Sequence, residues 1–210
     1  FWQNKRVTKG LKRVVHLLFW GYLLRLTFPL LLTFQLGDSF WKIDVLHCIG
    51  LSILSILILF GIQQKIKKIP LSVLLLVSSM TIFLFWPTYN TANYNFLPIW
   101  LANYFTQANG SVFTVFPWVG YALLGGFIGS IIHAKPEWCK SYFFALFFVG
   151  FGIALDLYSS TWLHKLYALT GWENFKAIAN FNFIFIRLGH VFVMIGIFLL
   201  LEKWSLLGKE

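Results

Sequence analysis

The amino-acid sequence predicts an all-α fold, a polytopic membrane helical bundle of about six transmembrane helices with its N and C termini cytoplasmic. Three observations carry that prediction. The 210 residues are 59% hydrophobic and 20% aromatic, with only 11% charged, whereas about a quarter of a soluble chain is charged. The apolar residues gather in runs too long and too numerous for one soluble core, and the mean hydropathy is +0.75. The basic residues fall between those runs on alternate sides.

A spanning helix needs about 20 predominantly apolar residues at 1.5 Å rise each. Six stretches approach that length: 14–34, 44–62, 70–86, 115–133, 141–158 and 183–201. The first follows the basic run NKRVTKGLKR and holds Arg25 just before Pro29. The second opens on Asp44 and His47. Pro70 and Pro87 bracket the third. The fourth contains GYALLGGFIG, where Gly125 and Gly129, four apart, are expected to bring a neighbouring backbone close. Gly150 and Gly152 in the fifth are read the same way, and Asp156 lies near its outer end. The sixth carries Arg187 and His190 in its outer third. Together they make 1–210 a single transmembrane domain.

Orientation follows from the loops. The N-terminal run, the second and fourth connections and the tail hold twelve Lys and Arg, against Lys42, Lys165 and Lys176 on the opposite side. Positive charge marks the cytoplasmic face, so both ends lie there. The net charge of +10 is thereby a topogenic and lipid-facing charge, and nucleic acid is excluded as a partner. Cys48 and Cys139 lie in different segments without CxxC spacing, which suggests neither a disulfide framework nor a metal site. No signal peptide opens the chain. It begins at Phe1 inside a basic run and is expected to be part of a longer protein.

The outward loop 87–114 has no Lys, Arg, Asp or Glu and is rich in Asn, Tyr and Trp. Its middle, LPIWLANYF, is expected to form a short helix at the membrane interface, where aromatic rings settle. Uncharged amide and aromatic side chains also suit sugar recognition.

Ionisable groups inside spans face a bundle interior or a wet cavity and pair with one another. Asp44 and His47 are three apart and share a helical face, as do Arg187 and His190. With Arg25 and Asp156 they are expected to form one polar cluster in the outer leaflet, Asp44 or Asp156 neutralising Arg25 or Arg187. An aspartate accepting the Nδ1 proton of a histidine would raise its basicity for general-base work. An ion-pair lock between helices is the structural alternative. His16, His133 and His164 have no span-mate and are read as interfacial or loop residues. The chain lacks GxSxG, HExxH, Walker A and GxGxxG patterns, so serine-nucleophile, metal, phosphate-loop and nicotinamide chemistry find no support.

WKIDVLHCIGLSILSIL at 41–57 resembles the D-V-L-(Q/H)-x-I-G-L segment of heparan-alpha-glucosaminide N-acetyltransferase-like membrane acyltransferases. VFPWVGYALLGGFIG at 115–129 is similar to the same family's F-P-W-x-G-Y-x-L-L-G segment. KGLKRVVHLLFWGYLLRL and FIRLGHVFVMIGIFLLLE resemble an early basic helix start and a late span. The resemblance implies an integral membrane acyltransferase of the bacterial inner membrane. It would move an acyl group, typically acetyl, from cytosolic acyl-CoA, a co-substrate rather than a bound cofactor, to a hydroxyl or amine of a glycan or envelope acceptor. Lys5, Arg6, Lys12 and Arg13 would meet the CoA phosphates. Asp44, His47, Asp156, Arg187, His190 and Arg25 would line the pocket, with Trp118 packing near it. The family's R-G-x-A-like opening span and its histidine have no counterpart here, and His47 stands where relatives often carry Gln, so no catalytic residue is assigned. A proton-coupled transporter and a non-catalytic membrane scaffold are the rival readings, and a homo-oligomer is compatible with all three.

Overall fold

The computed structural model describes residues 2–26, 40–111 and 113–207, and the regular elements among them are all helical. They form two compact units, Phe1–Phe127 and Ile128–Glu210.

In the first unit, α1 (Trp2–Leu23) packs antiparallel on α2 (Val45–Ile66). Glycines set the approach. A Cβ on Gly10 would lie 2.9 Å from Leu57, one on Gly50 3.4 Å from Leu17 and one on Gly21 2.6 Å from the His47 ring. Small residues at such a seam let two backbones come together where lipid supplies no hydrophobic drive. The chain is already helical at Trp2, well before the predicted span, the Lys, Arg and Leu of the basic run favouring helix and no proline interrupting it. Residues 27–34 of that span, Pro29 included, lie outside the described residues. α2 ends at Lys67, a left-handed residue with φ 56° whose N–H donates to the Gln63 carbonyl.

Pro70 then leads into α3 (Leu71–Leu84), whose Leu75, Ser79 and Phe83 recur every four residues as one buried face. That face meets α6 (Trp118–Ala134). Leu75 clusters with Val115, Val119 and Leu123, Ser79 donates to the Gly120 carbonyl at 2.8 Å, and the Phe83 ring fills the space a Cβ on Gly120 would need. The buried stripe of α6 therefore uses Gly120 and Gly126. Gly125 and Gly129, expected to make the close contact, have nothing within 4 Å of a Cβ position.

Between α3 and α6 the chain forms α4 (Trp86–Thr91), with Pro87 in its first turn, and the one-turn α5 (Ile99–Ala102) inside the predicted LPIWLANYF segment. The rest of this loop folds back on itself, the Val115 N–H donating to the Tyr104 carbonyl at 2.7 Å.

The second unit pairs α7 (Tyr142–Thr170) antiparallel with α9 (Phe183–Leu207), bridged by α8 (Glu173–Asn180). Gly152 and Gly189 bring the backbones into direct contact: a Cβ on Gly152 would sit 2.5 Å from the Gly189 carbonyl oxygen. α7 outruns the predicted 141–158 because its buried stripe continues through Ser159 and Leu163, and no breaker arrives before Gly171 at φ 69°.

Among the described residues, three helices are long and apolar enough to cross a membrane, α2, α7 and Phe183–Glu202 of α9, while α3 and α6 are apolar but shorter. Large apolar side chains face outward, Phe143 at 80% exposure among them, as a lipid-bathed surface requires.

Candidate functional site

Asp44 and His47 are three apart because they cap α2. The first turn of a helix leaves its N–H groups without intrahelical partners. The Asp44 carboxylate accepts the Val45 N–H at 2.7 Å and bonds the third-position backbone, while His47 Nδ1 accepts the Asp44 N–H at 3.3 Å. This is the reciprocal capping box, with imidazole in the place Glu or Gln usually takes. Since Nδ1 accepts, the proton of a neutral His47 ring resides on Nε2. The expected bond from Nδ1–H to an aspartate does not form at His47. The Asp44 carboxylate is turned instead to the helix amides and to Arg25, whose Nη2 lies 3.4 Å from Oδ2.

His47 is fully buried. Its ring stands edge-on to Tyr22, centroids 4.3 Å apart, with Tyr104 at 6.4 Å. The Tyr22 and Tyr104 hydroxyls share a 2.6 Å hydrogen bond across 82 residues of sequence. Burial first, and then this bond, push the Tyr104 phenol well above its ordinary range, so it stays a neutral hydroxyl. Gly21 is what admits the imidazole, because any side chain there would strike the ring.

The loop holds the entry to α2 in place. Asn103, itself fully buried, donates to the Trp41 carbonyl at 2.9 Å. Ser111 Oγ accepts the Ile43 N–H at 3.2 Å, and the Cys48 thiol reaches the Thr114 carbonyl at 3.8 Å. Two buried donors of this group, His47 Nε2 and Arg25 Nε, have no hydrogen-bond partner among the described residues. An unmet buried donor costs about 1–3 kcal/mol, so both are suited to an oxygen of a bound molecule.

The remaining sequence-predicted residues have partners of their own. Trp118 opens α6 and packs its ring on Phe113 and Tyr121, 5.6 and 5.8 Å away. In the second unit His190 Nε2 lies 3.3 Å from Asp156 Oδ1, the two side chains 64% and 39% exposed. Arg187 is exposed, its guanidinium 5.4 Å from the Phe183 ring centre. Nearby, the buried Asn182 donates to Ser159 and Ser160 at 2.6 and 2.9 Å. Lys5, Lys12 and Arg13 are exposed along α1, and the Arg6 side chain lies outside the described residues. Sequence reasoning missed Gly21, Tyr22 and Tyr104. The only visible signal was a Gly-Tyr pair inside an apolar run and a tyrosine in an uncharged loop, with no periodicity to link them.

The model of the family described as heparan-alpha-glucosaminide N-acetyltransferase, catalytic, matches residues 1–150, a stretch that contains this entire group. No curated protein and no solved structure matches the chain.

Proposed function

The chain belongs to the heparan-alpha-glucosaminide N-acetyltransferase family, membrane-bound acetyltransferases, and on that premise we propose that it transfers an acyl group, acetyl above all, from cytosolic acyl-CoA to a hydroxyl or amine of an envelope glycan. The location that fits this reading is the bacterial inner membrane, with both termini cytoplasmic. In the reaction the acceptor oxygen or nitrogen bonds the thioester carbonyl carbon, the carbon–sulfur bond breaks, and the acceptor proton ends on the CoA thiol.

The observation that carries the proposal is the family match over the stretch holding Arg25, Asp44, His47, Tyr22 and Tyr104. In this mechanism His47 Nε2–H and Arg25 Nε–H donate to the carbonyl oxygen as negative charge develops there, which is where prearranged donors lower a barrier most. Asp44 positions both, through Arg25 and through its own amide. The neutral Tyr104 hydroxyl is a further donor. Lys5, Arg6, Lys12 and Arg13 at the basic end of α1 bind the CoA phosphates.

Membrane vesicles carrying the full-length protein, given acetyl-CoA and an amino-sugar acceptor, test this through the appearance of free thiol. Protein-dependent release is expected, falling about tenfold or more, some 1.4 kcal/mol of barrier, in Arg25→Ala and His47→Ala. His190→Ala should stay close to the parent. No thiol release from any short-chain acyl-CoA, with solute counterflow in proteoliposomes, would replace the enzyme by a carrier.

A further inference from the structure

The uncharged loop encloses a groove of about 330 Å³ lined by Asn93, Tyr94, Asn95, Leu97, Thr106 and Asn109, a volume within the range of small-molecule sites. We propose that this groove binds a neutral saccharide, the non-reacting part of the glycan acceptor; the inference rests on the acyltransferase reading for the word acceptor alone.

The polar groups of the groove are held rather than free to swing. Asn93 Oδ1 accepts the Asn95 N–H at 2.9 Å, and Thr106 Oγ1 accepts the Ala108 N–H at 3.1 Å. Asn109 Nδ2 donates to Asn103 Oδ1 at 2.9 Å, and Asn103 is anchored to Trp41. Each bond fixes one end of a side chain whose other capacity remains for a ligand, because an amide both donates and accepts. Sugar hydroxyls do the same, which is the match that amides make best.

The apolar part is equally specific. The Tyr94 hydroxyl donates to the Tyr89 carbonyl at 2.7 Å, and its ring is stacked on Phe105 with centroids 5.8 Å apart. One ring face is thereby covered and the ring is immobilised beside Leu97, a flat apolar surface suited to the C–H face of a pyranose. Residues 87–114 contain no Lys, Arg, Asp or Glu in a chain of net charge +10. A sulfated or carboxylated sugar would find no countercharge on this loop. The Lys42 ammonium sits over Gly110, and neither residue is part of the lining. Asn103 couples the groove to the candidate site, since its chain neighbour Tyr104 bonds Tyr22 beside His47.

The test is saturation-transfer NMR on the full-length protein in nanodiscs, with chitotetraose as the neutral probe and an N-sulfated heparin tetrasaccharide as the anionic one. Chitotetraose is expected to bind and the sulfated probe to bind at least tenfold more weakly. Ala108→Trp, which fills the groove, and the milder Asn95→Ala should each weaken chitotetraose at least tenfold at unchanged melting temperature. Preference for the sulfated probe, or chitotetraose binding that neither variant weakens, overturns the proposal. Thiol release from acetyl-CoA in the presence of an amino-sugar acceptor is followed in the same samples. Its absence alongside groove-dependent saccharide binding would remove the acyltransferase reading and leave the groove standing.

Discussion

Each unit places a histidine next to an aspartate, yet the two pairs are built in opposite ways. His47 is fully enclosed and bonds the backbone of Asp44, leaving the carboxylate to Arg25 and the helix amides. His190 is 64% exposed and reaches the Asp156 carboxylate directly. In the first unit aromatic rings and a glycine surround the imidazole. In the second the glycines serve the helix–helix contact instead, and the polar pair is left at its edge. The residue types are the same, but one pair closes the start of a single helix in an enclosed space, while the other ties α7 to α9 at an exposed edge.

The largest expected effect lies in the glycine contact. Gly152→Val drives side-chain atoms into the Gly189 carbonyl, which cannot move away as a flexible side chain would, and should cost about 3 kcal/mol or more. Gly150→Val, with nothing within 4 Å of its Cβ position, should leave the melting temperature in detergent nearly unchanged. Next comes His47→Ala, which empties an enclosed space and strips the Asp44 N–H of its acceptor, at about 2–3 kcal/mol. His47→Gln should recover much of that loss, since Gln also closes a capping box. If Gln is no better than Ala, capping is not what Nδ1 contributes. Asp44→Ala removes the cap at about 1 kcal/mol, and hydrogen exchange should quicken in the first turn of α2 before the rest of the helix responds. The smallest effect belongs to the exposed pair, where His190→Ala should stay within about 0.5 kcal/mol. A penalty there equal to that of His47→Ala would erase the contrast between the units.

Much of the helical plan was legible, because runs of apolar residues bounded by Pro70, Pro87 and the charged loops leave a long local signal. The candidate site was legible only in part. Asp44 and His47 stood out as polar residues at the mouth of an apolar run, but the pattern D-x-x-H hides a cap, since His seldom fills that position. The Tyr22–Tyr104 bond joins residues with no shared period, and such a contact is set by tertiary packing alone. The glycines show the same limit. Spacing four apart singled out Gly125 and Gly129, while the neighbours actually in contact are Gly120 and Gly126, a rotation of the helix that composition does not specify.

The 29 residues of α7 make a rod about 43 Å long, some 13 Å more than the hydrocarbon thickness of a bilayer. His164 and Lys165 sit in the surplus turns and are exposed, and such groups favour water over hydrocarbon. There Tyr167 bonds Glu173 at 2.9 Å while Lys176 covers its ring, tying α8 to the tip. With the apolar part of α7 in lipid, the helix also serves as a post for this polar headpiece, and a protease or antibody aimed at 165–176 should meet folded structure rather than a loose loop.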